Sequence, residues 1–67
     1  MNETARLAYG PEDAAAMLGI TRSRLFQLIA AGALRSYKDG RRRLVSHAAL
    51  VEYQKRREDA STEGRAA

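Results

Sequence analysis

Arg22, Ser23, Arg24 and Gln27 fall within six residues of one another, and a second run, Arg41, Arg42 and Arg43, follows directly on Asp39-Gly40. These residue types suit two kinds of chemistry. An arginine can donate two hydrogen bonds to O6 and N7 of guanine, a glutamine can pair with adenine, and a serine can donate or accept. A dense arginine run, helped here by Lys38, instead neutralises phosphates and draws affinity from the counterions it releases. The first group carries the means to distinguish bases, and the second the means to hold a polyanion.

Catalytic chemistry lacks its parts. Ser23 and Ser46 have no histidine or lysine at a spacing that would activate a nucleophile, and the acids form no motif. His47 is the only histidine and cysteine is absent, so neither a zinc site nor a disulfide framework can be assembled. The expectation is a protein that is not an enzyme and uses no cofactor or metal. No apolar run reaches the roughly 18 residues of a membrane span, and "MNETARLAYG" lacks the apolar centre of a signal peptide. A soluble, cytoplasmic chain with no membrane partner is expected.

Charge is distributed unevenly. Residues 21–57 carry ten lysines and arginines against Asp39 and Glu52, a net of +8 inside a chain whose total is +4. Such a band points to a polyanionic partner. The competing reading is the ordinary solvated surface of a basic protein. For Arg41, Arg42 and Arg43 it is solubility, or charge that protects an exposed strand edge; three adjacent arginines exceed what edge protection needs.

The elements that position these groups follow from local signals. In "GPEDAAAMLGI", Pro11 suits the first position of a helix, Glu12 and Asp13 suit its positive end, and Gly19 suits its C-terminal cap, which places helix 1 at about residues 11–18. Thr21 then caps a second helix in which Leu25, Leu28 and Ile29 share one face, and Gly32 ends it. Two helices joined by a tight turn make a helix-turn-helix. With that apolar face inward, Arg22, Ser23, Arg24 and Gln27 project outward, while Thr21 and the first amides can meet a phosphate. Phe26 has an exposed register, and partial burial or a contact with the wing or a sugar-phosphate ridge would account for it.

"ALRSYK" and "RRRLV" flank Asp39-Gly40, which reads as the central pair of a type I′ hairpin turn. This hairpin is the wing. Beside a recognition helix in the major groove it would reach the adjacent minor groove or its phosphate walls with Lys38, Arg41, Arg42 and Arg43. Ser46 can cap a third helix, "HAALVEYQKRRED", whose basic end reads as a solvated terminus. The expected core draws on Ala14, Ala15, Leu18, Ile20, Leu25, Leu28, Ile29, Leu34, Val45, Leu50 and Tyr53. Leu44 and Val45 compete for the inward position, with Val45 preferred. The fold class is therefore mainly α with a small β-hairpin, a winged helix-turn-helix. Residues 1–8 form an N-terminal extension, 9–58 the folded domain and 59–67 a disordered tail.

The succession "AAAMLGITRSRLFQLIAAGAL", a "DGRRR" wing and "LVSHAALVEY" resembles the excisionase-type branch of the MerR-like winged helix-turn-helix proteins, over about residues 8 to 57. The resemblance implies a monomeric, non-catalytic architectural protein that binds and bends double-stranded attachment-site DNA. It would assist a separate integrase in excisive recombination and bind beside further copies of itself. The long effector-binding or dimerising C-terminal helix of ligand-sensing MerR regulators has no counterpart here. A small transcription regulator with the same domain is the alternative. A protein-interaction module or antitoxin, docking an acidic partner on the basic face, is a third reading.

Overall fold

The computed structural model describes the backbone of residues 6–66 and the side chains of residues 6–61. Residues 1–5 of the expected N-terminal extension, and the tail's last side chains, lie outside the described residues. The chain runs β1 (Ala8–Tyr9), α1 (Pro11–Leu18), α2 (Arg22–Ala30), β2 (Tyr37–Asp39), β3 (Arg42–Ser46) and α3 (His47–Ala66). Helices carry most of it, as the sequence pattern requires.

The turn between α1 and α2 is closed by backbone hydrogen bonds. Gly19 takes φ 74°, a left-handed value that only glycine adopts without strain, and its N–H donates to Ala16 O. The N–H of Ile20 reaches further back, to Ala15 O at 3.0 Å, so the carbonyls of Ala15 and Ala16 near the end of α1 are satisfied. α2 starts two residues later. There the Thr21 side-chain oxygen accepts from the N–H of Arg24 at 3.0 Å, the cap expected of it.

The wing differs from expectation in its turn. Asp39 pairs with Arg42 inside the ladder, leaving Gly40 and Arg41 as the two loop residues. Gly40 has φ 65°, and among the described residues no non-glycine residue has positive φ. A left-handed residue at the first central position alone is the pattern of a type II′ turn, which demands glycine there, whereas type I′ would also force its partner to positive φ. The shift moves each pairing partner by two residues, so the same side chains keep the same faces.

A third strand escapes the sequence pattern. β1 pairs antiparallel with the far end of β3, Ala8 opposite Ser46 and Tyr9 opposite Val45, so the sheet order is β1-β3-β2. The N–H of His47 also donates to Leu7 O at 2.8 Å. Ala8, assigned from sequence to the extension, thus belongs to the sheet.

The core lies between the sheet and all three helices. Leu25, Leu34 and Val45 are its largest fully enclosed side chains, joined by Tyr9, Ala14, Ala15, Leu28, Ala49 and Leu50. Leu18, Ile20, Ile29, Ala33 and Tyr53 pack against its rim. Val45, not Leu44, faces inward. Each fully buried aliphatic side chain contributes roughly 1.5 to 3 kcal/mol, so a few residues hold most of the domain's stability.

Ser46 caps α3, its Oγ accepting from the N–H of Ala49 at 3.0 Å. Helical backbone then continues to Ala66, past residue 59, where the sequence reading begins a disordered tail. No proline interrupts this stretch, its lysine, arginine, glutamate and alanine are good helix formers, and Gln54 bonds Glu58 one turn on at 3.3 Å. Local propensity carries the helix where packing has stopped: residues 54–61 are all exposed.

Candidate nucleic-acid interface

α2 presents its charged face because the opposite face is anchored. Leu25 and Leu28 are buried and Ile29 is half-buried, while Thr21, Arg22, Ser23, Arg24 and Gln27 are exposed. Successive residues of an α-helix turn by about 100°, so Ser23 and Gln27 lie near the middle of the exposed arc. Arg22 and Arg24, two residues apart in sequence, fall on opposite flanks of it.

The two arginines have different company. Arg24 Nη1 donates to Gln27 Oε1 at 3.3 Å, which joins two of the candidate base-reading groups. Arg22 instead lies over the ring of Phe26, its Cζ 4.9 Å from the ring centroid. Phe26 is half-buried and serves as a floor for that guanidinium, a cation–π contact that limits where Arg22 can reach.

The wing arginines also divide. Lys38, Arg41 and Arg42 are exposed. Arg43 is half-buried, and its Nη1 donates to Ser36 Oγ at 3.1 Å, which ties it to the stem of the wing. Strand alternation sends Arg42 the other way, towards α1. A cleft of about 270 Å³ there is lined by Gly10, Pro11, Glu12, Asp13, Arg22 and Arg42. Arg22 of the recognition helix and Arg42 of the wing therefore face the same cleft.

Residues 8–58 match the model of the helix-turn-helix domain family. The chain belongs to this family. No curated protein and no solved structure matches it. The helix-turn-helix supports sequence-specific DNA binding, and here α2 stands in the place of its second helix.

Two polar contacts behind α2 have no local sequence signal. Arg56 of α3 donates to Ala33 O at 2.5 Å, and Arg35 pairs with Glu52 at 2.8 Å. Both fasten α3 to the segment leaving the recognition helix, so Arg56 is more than part of a solvated helix end. His47, alone at the start of α3, is exposed, with its ring 6.3 Å from that of Tyr9. Among the described residues no group of three or more His, Cys, Asp or Glu side chains could hold a metal ion, and no helix is long and apolar enough to cross a membrane.

Proposed function

We propose that the helix-turn-helix seats the N-terminal half of α2 in the major groove of double-stranded DNA, lays the wing along the flanking backbone, and acts as an excisionase. In that role it bends attachment-site DNA and assists an integrase in excision. The observation that carries the DNA-binding reading is the exposed row Arg22, Ser23, Arg24 and Gln27 together with the exposed wing cations Lys38, Arg41 and Arg42, with Arg22 and Arg42 lining one cleft. Thr21 contributes through its cap, which fixes the first turn of the reader. Arg43, turned towards Ser36, adds positive field more than direct contact.

The excisionase role is supported by the sequence resemblance and by the character of α3. After Tyr53 the only apolar residues are Ala60, Ala66 and Ala67, so the outer half of that helix carries no apolar stripe for pairing with a second helix. A single reader with a single wing spans few base pairs. Specificity then comes from several copies on repeated sites, each favouring a bend by neutralising phosphates on one side of the duplex.

The test is electrophoresis of the chain on duplex recovered by selection from a random pool, followed by circular-permutation mobility. A ladder of complexes, a bend, and stimulation of excision by an integrase encoded beside it support the proposal. One discrete, unbent complex without effect on excision favours a small transcription regulator. Tight binding to a protein, with weak and sequence-blind binding to duplex, favours the interaction module.

A further inference from the structure

Arg22 and Arg24 look equivalent in sequence, and both suit guanine. Their surroundings separate them. Arg24 shares the exposed arc of α2 with its hydrogen-bonded neighbour Gln27, whereas Arg22 lies over Phe26 on the other flank and lines the cleft that Arg42 reaches from β3. The Arg42 guanidinium is held against the entry to α1, so that a Cβ on Gly10 would stand 3.8 Å from its Nη2. Neither Arg22 nor Arg42 pairs with a carboxylate among the described residues, although Glu12 and Asp13 line the same cleft. Asp13 is turned to Arg6 at 2.8 Å.

Arg22 and Arg42 line one cleft with Glu12 and Asp13 but form no ion pair with either acid, so both guanidiniums keep donors open that a shared anion can take. Planar guanidinium forks fit phosphate oxygens with paired hydrogen bonds. We infer that Arg22 and Arg42 together form a seat for one backbone phosphodiester of the bound duplex, and that Arg22 is a positioning residue while Arg24 with Gln27 reads the bases. The inference rests on the DNA-binding reading above and assigns its parts. The seat joins the recognition helix to the wing through a single phosphate, which fixes how deep α2 enters the groove relative to the wing. Phe26 holds the Arg22 side chain in place for this. Glu12 at the rim opposes the anion, so Glu12→Gln strengthens binding, most at low salt.

The experiment compares the parent chain with Arg22→Ala, Arg42→Ala, the double variant and Arg24→Ala on a selected duplex and a scrambled one, across a salt series. Arg22→Ala and Arg42→Ala each weaken both duplexes alike. The slope of log affinity against log salt becomes shallower by about 1 in either single variant and by about 1, not 2, in the double. Arg24→Ala instead lowers the ratio between the two duplexes. Scanning the selected duplex with single methylphosphonates, which needs no protein variant, identifies one position whose neutralisation reproduces the loss and makes both arginine substitutions silent. Additive slope changes, two separate sensitive phosphates, an Arg22→Ala variant that loses discrimination as Arg24→Ala does, or a Glu12→Gln variant that binds no better overturn the seat while leaving DNA binding intact. A parent chain that binds no duplex overturns both.

Discussion

Arg24 Nη1 donates a hydrogen bond to Gln27 Oε1 at 3.3 Å, linking the two residues of α2 best suited to guanine and adenine. The bond leaves the Gln27 amide nitrogen and the rest of the Arg24 fork free to meet base edges, and it orients each group through the other. Replacing either residue with Ala should erode discrimination between selected and scrambled duplex by roughly 1 to 3 kcal/mol. The double replacement should cost less than the sum, because the residues are coupled. Competition titrations on the two duplexes check this, and strictly additive losses would show that the pair does not act as a unit.

The core prediction rests on burial. Leu25 is fully enclosed and Leu28 is 6% exposed, both under the recognition face. Leu25→Ala or Leu28→Ala should cost roughly 2 to 5 kcal/mol, most of what so small a domain has. Thermal melts followed by circular dichroism should show partial or complete unfolding at room temperature. A melt close to the parent's would mean that the site collapses around the missing methyls.

Much of this architecture is legible in the sequence because the signals are local. Pro11, Gly19, Thr21 and Ser46 each act on the backbone within a few residues, and the helix boundaries follow from them. β1 is not legible, since two residues have no periodicity and Ala8–Tyr9 become a strand only because β3 offers a free edge. Tyr9 enters the core for the same tertiary reason. The Asp39-Gly40 pair suggests its own turn, yet the pairing of Tyr37 with Leu44 sets the loop one residue later. Within the candidate site, the exposure of Arg22, Arg24 and Gln27 follows from helical period. Their partners do not, because Arg22 could have leaned away from Phe26, and Arg42 meets the cleft only through the sheet.

The hairpin register gives a direct test. With Gly40, not Asp39, at positive φ in the hairpin, Gly40→Val should cost roughly 1 to 3 kcal/mol, while Asp39→Val, inside a strand, should be tolerated. Paired thermal melts decide between the two turns. A costly Asp39→Val beside a costly Gly40→Val would move the loop back by one residue, to a turn that needs positive φ at both.

The outer half of α3 should be dispensable for folding. Truncation after Glu58 keeps Arg56 and its bond to Ala33 O, so the urea midpoint should stay near the parent's. Truncation after Tyr53 removes that bond and should cost about 1 kcal/mol. Equal losses from both cuts would indicate that residues 59–66 contribute contacts of their own.

Binding through this surface should release counterions and weaken as salt rises. If α2 and the wing together neutralise roughly four to six phosphates, log affinity for selected duplex should fall against log salt with a slope of about −4 to −5. Fluorescence anisotropy across a series of potassium chloride concentrations measures it. A slope in that range is the predicted result, and an affinity indifferent to salt would contradict the assignment of this surface to DNA.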